Sequence, residues 1–159
     1  MVQETAIFAA GCFWHVELAF SKIKGVNSTR VGYIGGDEKI YPNPTYKQVC
    51  TAKTRYAEAI EINFNSDKIK YGDLLDIFWK IHDPTQLNRQ GPDFGTQYRT
   101  AIFYKNANQK KEAEKSKRVI EKKLGRKVTT EITKAGTFYP AEDYHQKYLE
   151  KRGLVACPI

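Results

Sequence analysis

The chain has 159 residues, 41% of them hydrophobic, a length that supports one domain with a real core and is short for two. Neither end reads as a basic segment followed by an apolar signal run, and no apolar stretch approaches the roughly 20 residues of a membrane helix, so a soluble, cytoplasmic protein without a membrane partner is expected. Three cysteines with no C-x-x-C spacing argue against a disulfide framework and a structural zinc site and leave free or redox-active thiols, while a formal charge of +8 raises nucleic-acid binding as one reading.

Residues 6–9 form a short apolar run that reads as a strand, and Gly11 supplies a flexible turn. Phe13, Val16, Phe20 and Ile23 then recur at helical spacing, with Gly25 as the stop. Cys12 therefore falls where a strand becomes a helix. At a helix N-terminus the unpaired N–H groups and the positive end of the macrodipole favour thiolate over thiol, and cysteines so placed have pKa values of roughly 3.5–7.5. Phe13 and Trp14 are suited to wall an apolar pocket around that sulfur, which points to a small apolar substrate group. The alternative is a buried Cys12 acting as a small hydrophobe.

Residues 26–34 alternate as one edge-like strand, and Gly35-Gly36-Asp37 turns the chain into a loop with Pro42 and Pro44. Tyr46 and Cys50 follow, and on their residues alone both read as structural. Residues 56–64 form the next strand, whose period of two puts Glu58, Ile60, Ile62 and Phe64 on one face and Ala57, Ala59, Glu61 and Asn63 on the other. The register that buries the isoleucines turns Glu58 inward, where an apolar setting raises its pKa and lets it carry a proton near neutral pH. A solvated Glu58 at a frayed strand start is the alternative.

A helix over 71–81 ends at Asp83-Pro84. The polar stretch 83–97 is long for a loop in a compact domain, and such loops are often functional. It delivers a strand over 98–104. A helix over 106–124 carries Lys110, Lys111, Lys115, Lys117, Arg118, Lys122 and Lys123 mixed with Glu112, Glu114 and Glu121, which reads as a solvated face. A strand over 127–134 and a helix over 142–152 follow. Residues 1–152 are thus expected to form one catalytic domain, and 153–159 a mobile tail carrying Cys157. The element order predicts an α+β two-layer sandwich with a small mixed sheet.

Several blocks in one order resemble the A-type peptide methionine sulfoxide reductases over nearly the whole chain. They are Gly11-Cys-Phe-Trp14, Gly32-Tyr-Ile-Gly-Gly36, Ala57-Glu-Ala59, Phe78-Trp79, His82-Asp-Pro-Thr85, Asn88-Arg-Gln-Gly91, Gly95-Thr-Gln-Tyr-Arg99 and Ala141-Glu-Asp-Tyr-His-Gln146. The resemblance implies a ferredoxin-like core and reduction of methionine-S-sulfoxide, free or in proteins, with no metal or flavin cofactor. Cys12 would be the nucleophile, Phe13 and Trp14 the pocket for the substrate methyl, Glu58 the proton donor, Tyr46 and Tyr98 donors to the sulfoxide oxygen, and Asp93 a supporting acid. Cys157, the one terminal candidate, would resolve the oxidised Cys12 with Cys50 a bystander. Thioredoxin would be the reductant, and the protein a monomer with no nucleic-acid partner. Arg55-Tyr56 stands where the family usually has Gly-His, and His15 where Gly or Cys is usual. Two rival readings stay open: a cysteine-nucleophile hydrolase using His15, His82 or His145 as base, and a basic nucleic-acid-binding module.

Overall fold

The computed structural model describes residues 3–153. The chain runs β1 (Gln3–Ala10), α1 (Phe13–Ser21), β2 (Val26–Ile34), α2 (Tyr46–Val49), β3 (Ala57–Asn65), α3 (Tyr71–Lys80), β4 (Arg89–Gln90), β5 (Asp93–Phe94), β6 (Thr100–Tyr104), α4 (Ala107–Leu124), β7 (Glu131–Lys134), β8 (Tyr139–Pro140) and α5 (Tyr148–Lys151). Six strands form one mixed sheet in the order β7-β6-β1-β3-β2-β8, and β4 pairs with β5 in a separate hairpin. All neighbours in the large sheet are antiparallel except β6 and β7.

The two faces of the sheet are covered differently. Ala6, Phe8, Ile60, Ile62, Phe64 and Ile102 meet Val16 and Phe20 of α1, Leu74, Leu75 and Phe78 of α3, and Ala113 of α4. The opposite face is lined by Ile7, Ala9, Ile34, Ala57, Ala59, Ala101 and Phe103, and Ala135 and Phe138 of an irregular segment pack on it. The face assignment of β3 holds, and with cover on both sides even its second set of side chains is largely buried.

Asn106 caps α4 by accepting the Gln109 N–H, and Gly125 ends it at φ 70°, as the sequence signals require. Other boundaries moved for physical reasons. The strand expected over 98–104 starts at Thr100, because Thr96–Tyr98 form a 3-10 turn entered through Gly95. The expected 142–152 helix is broken into a 3-10 turn at Asp143–His145 and the short α5. The Gln146 amide is drawn into both the N–H and the C=O of Val31, and Lys147, at φ 52°, donates its N–H to Glu17. Those long-range bonds outweigh helix propensity. The tail with Cys157 lies outside the described residues.

His82 shows how polar groups are settled beneath the helices. Its Nδ1 donates to the Phe78 carbonyl at 2.6 Å, and its Nε2 accepts from Thr100 Oγ1 at 2.8 Å, which in turn meets Thr130 Oγ1 at 2.9 Å. Burial pushes the pKa of His82 down from 6.5 to about 4, against the opposing pull of the Phe78 carbonyl and Asp83. The unfolded chain takes up this proton first, so the associated stability is complete above pH 6.5 and is lost between 6.5 and about 4. In His82→Gln, urea midpoints measured across that window should fall less steeply with acid than in the parent.

Candidate active site

β1 ends at Ala10, and Gly11 turns the chain at φ 95°. A Cβ on Gly11 would meet Gln90 Cβ and Cγ at 2.9 Å, so the β4–β5 hairpin packs hard against this turn. The Gln90 amide holds the hairpin in place through the N–H and C=O of Asp83. Cys12 then occupies the N-cap of α1, partly exposed, and its carbonyl accepts the Val16 N–H at 3.3 Å.

The next N–H of the helix, that of Phe13, donates to Glu58 Oε1 at 3.2 Å. Glu58 is 1% exposed, and its second oxygen, Oε2, is buried without a hydrogen-bond partner among the described residues. Burial raises its pKa from 4.5 to about 8; the Phe13 N–H pulls the other way, and the charge of Asp93 adds to the rise. The alternative of a solvated strand start is thereby ruled out.

Two phenols face the same carboxyl. Tyr46 is the first residue of α2, whose N-cap Thr45 exchanges bonds with Gln48. Glu142 fixes this helix by accepting from the Tyr46 N–H at 3.0 Å and from the Tyr33 hydroxyl at 2.9 Å. Tyr98 arrives at the end of the 3-10 turn. Burial first, then the charge of Glu58, raises the pKa of both Tyr46 and Tyr98, so both keep their protons. Asp93 lies on β5, its pKa raised by burial, close enough to act on both Glu58 and Tyr98.

Phe13 is fully buried, its ring 5.8 Å from Tyr33, 6.3 Å from Tyr46 and 5.2 Å from His145. Trp14 stacks on Tyr148 at 3.7 Å with the planes 6° apart, and its Nε1 donates to His145 Nδ1 at 2.9 Å. The sequence reading missed His145 and Tyr148 as partners of Trp14. The one available signal was the spacing of Tyr144, His145 and Tyr148, which resembled an ordinary packing face.

Cys50 was read as structural, yet the fold exposes it at the C-cap of α2, one turn beyond Tyr46 and hydrogen-bonded to that phenol. Burial raises its pKa, with the Tyr46 bond opposing. Of the two unusual positions, His15 is exposed on α1, and Tyr56 is buried with its hydroxyl donated to the Tyr41 carbonyl at 2.8 Å. The histidines a hydrolase would need are engaged otherwise: His82 by Phe78 and Thr100, His145 by Trp14. The lysines of α4 project into solvent or lie at its margin.

The family described as peptide methionine sulfoxide reductase matches residues 4–159. The chain belongs to that family. It is 55% identical to peptide methionine sulfoxide reductase MsrA of Methanothermobacter thermautotrophicus over 97% of this chain and 90% of the relative. Identity to MsrA of Acidobacterium capsulatum is 50% over 97% and 98%. Among solved structures, reduced Mxr1 from Saccharomyces cerevisiae superposes with a TM-score of 0.91 at 38% identity, covering 95% of this chain and 86% of that one. Methionine sulfoxide reductase A of Corynebacterium diphtheriae gives 0.88 at 38% identity, covering 98% and 78%. Mxr1 in complex with Trx2 gives 0.65 at 26% identity, covering 98% and 86%.

The protein is therefore a thiol-dependent methionine sulfoxide reductase of the A type, and the hydrolase and nucleic-acid readings are set aside. In the resting reductase one glutamate carboxyl, followed by carbon-13 NMR, should titrate near pH 8, and that titration should vanish in Glu58→Gln. A Glu58 that titrates in the ordinary carboxylate range would contradict the geometry.

Proposed function

We propose that Cys12 reduces methionine-S-sulfoxide, free or within peptides, with Glu58 as the proton donor. The unpartnered Oε2 of Glu58, buried beside the N-terminus of α1, carries this reading. The S–O bond breaks only if the oxygen gains a proton as sulfur is attacked. Cys12 Sγ, as the thiolate, attacks the sulfoxide sulfur to form an Sγ–S bond while the oxygen takes the Glu58 proton; the hydroxyl then passes to Sγ as the substrate S–O and the Sγ–S bonds break, leaving Cys12 as sulfenic acid, methionine with its lone pair restored and Glu58 as carboxylate. Tyr46 and Tyr98, both protonated, donate to the oxygen as it gains charge, an arrangement whose members are typically worth about 3 kcal/mol each. Asp93 supports the acid by keeping Glu58 protonated. The substrate methyl lies against Phe13 and Trp14, and the latter is held in place by Tyr148 and His145. No bound cofactor enters the scheme.

The sulfenic acid then condenses with a second thiol, releasing water and protecting Cys12 from further oxidation. We assign that thiol to Cys157, and reduction of the resulting disulfide to a thioredoxin, for which the complex of the related Mxr1 with Trx2 is support. The order β6-β1-β3-β2, crossed by α1 and α3, favours a ferredoxin-like core in one catalytic domain. We place the enzyme in the cytoplasm as a monomer.

Incubation with racemic methionine sulfoxide and dithiothreitol, followed by chiral analysis, tests the chemistry. The S epimer alone should disappear, and Cys12→Ser should abolish the reaction. Because Glu58 must be protonated, the single-turnover rate should fall as pH rises through about 8, and Glu58→Gln should be slower by about 10²–10⁴-fold. Comparable loss of the R epimer would sink the scheme.

The resolving step has its own test. Cys157→Ser should release about one methionine per enzyme and then stall with thioredoxin, while dithiothreitol rescues it. Peptide mapping after one turnover without reductant should give a Cys12–Cys157 bridge. A Cys12–Cys50 bridge would reassign the role to the thiol beside Tyr46.

A further inference from the structure

The guanidinium of Arg99 gathers three backbone segments that are far apart in sequence. Its Nη1 donates to the Arg55 carbonyl at 2.9 Å and to the Thr96 carbonyl at 3.0 Å, and its Nη2 donates to the Gly35 carbonyl at 3.3 Å. Its Nε faces Glu131 Oε1 at 3.2 Å. The Arg99 side chain is 10% exposed, whereas that of Glu131 is 51% exposed. The ion pair thus lies at the surface and the carbonyl bonds lie inside.

Each of the three carbonyls sits on a segment that delivers a functional group. Arg55 lies three residues before Glu58, Thr96 two before Tyr98, and Gly35 opens the loop that leads to Tyr46. None of the three carbonyl segments is held here by a regular ladder. Arg55 has a φ of 63°, Gly95 before the 3-10 turn has 134°, and Gly35 has 80°. The approach is so close that a Cβ on Gly35 would meet Arg99 Nη2 at 3.1 Å. A planar fork with five donors can serve three carbonyls and a carboxylate together, which a lysine ammonium on a flexible stem does not do.

We propose that Arg99 is a positioning residue for reduction, acting through Tyr98 and Glu58 by fixing the backbone that carries them. It touches neither substrate nor Cys12 in this role. The proposal rests on the proton-donor roles given above to Glu58 and Tyr98. Loosening Arg55 lets water reach Glu58, whose high pKa depends on exclusion of water, and loosening Thr96 displaces the Tyr98 hydroxyl. Substrate binding against Phe13 and Trp14 is untouched, because Arg99 makes no contact with that wall.

The test is single-turnover reduction of N-acetylmethionine-S-sulfoxide by folded Arg99→Lys, with Glu131→Gln, Glu58→Gln and Tyr98→Phe in the same assay. Arg99→Lys should slow the reductive step by about tenfold to a hundredfold, the scale on which a misplacement of about 1 Å costs. KM should stay within roughly threefold of the parent, and the alkaline limb should move to lower pH. Glu131→Gln keeps all three carbonyl bonds and should keep the parental rate. If Arg99→Lys does not fold, Gly35→Ala, whose Cβ would meet Arg99 Nη2 at 3.1 Å and push the fork off the Gly35 carbonyl, should reproduce the slow step. A parental rate and pH profile in folded Arg99→Lys, or in folded Gly35→Ala where that variant stands in, overturns the proposal. If Glu58→Gln and Tyr98→Phe are slow while the Arg99 variant is not, only the positioning role fails; if both are at the parental rate, the proton-donor reading beneath it fails.

Discussion

The hydrogen bond from the Phe13 N–H to Glu58 joins a helix start to a central strand, and the raised pKa of that carboxyl depends on its being alone among the described residues. A carboxylate that accepts two or three backbone N–H groups has a low pKa; one that accepts a single bond in a dry setting has a high one. The fold contains the contrast. Glu142, nearer the surface, accepts from the Tyr46 N–H and the Tyr33 hydroxyl, and although partial burial opposes it, the pKa ends below the ordinary value. Glu58 accepts the Phe13 N–H at 1% exposure, and desolvation prevails. Two glutamates in one site are thereby sorted into an anchor that stays charged and an acid that keeps its proton.

The cost of this arrangement falls on the strand that carries it. β3 pairs with β1 and β2 on either side, and Glu58, opposite Tyr33 of β2 and two residues before the ladder with β1 begins, is 1% exposed. Placing a titratable group on the best-packed strand is what fixes the distance between acid and thiol. An exposed loop would have hydrated the same residue and returned it to the usual carboxylate range.

Cys12 and Glu58 were legible in the sequence because both follow from periodicity: a strand giving way to a helix, and an alternation that turns one acid inward. That Tyr46 and Tyr98 lie near Glu58 was legible only through motifs, since a tyrosine beside a loop carries no sign of which groups its ring will meet. The break in the expected 142–152 helix was hidden, because the Gln146 amide bonds to Val31, a residue 115 positions away. β4, β5 and β8 are two residues each and exist only as partners of another strand, so no local propensity announces them. Cys50 escaped for a similar reason. Its neighbours in sequence form a helical turn, and only the fold shows that the turn opens beside Tyr46.

The same Gln146 amide has a consequence at the rim of the sheet. Val31 lies on the outer side of β2 just before its short pairing with β8; its C=O accepts the Ala141 N–H at 2.9 Å, and without the amide its N–H would be left for another extended chain to pair with. The amide occupies both groups at 2.9 Å, as a neighbouring strand would, without being a strand. Beside it β8 ends in Pro140, which has no N–H to offer, and at the far rim β7 is four residues long with Glu131 and Lys134 at its ends. With both rims blunted in this way, a second copy of the chain has little edge to pair with, and the sheet is closed to growth without being closed into a barrel.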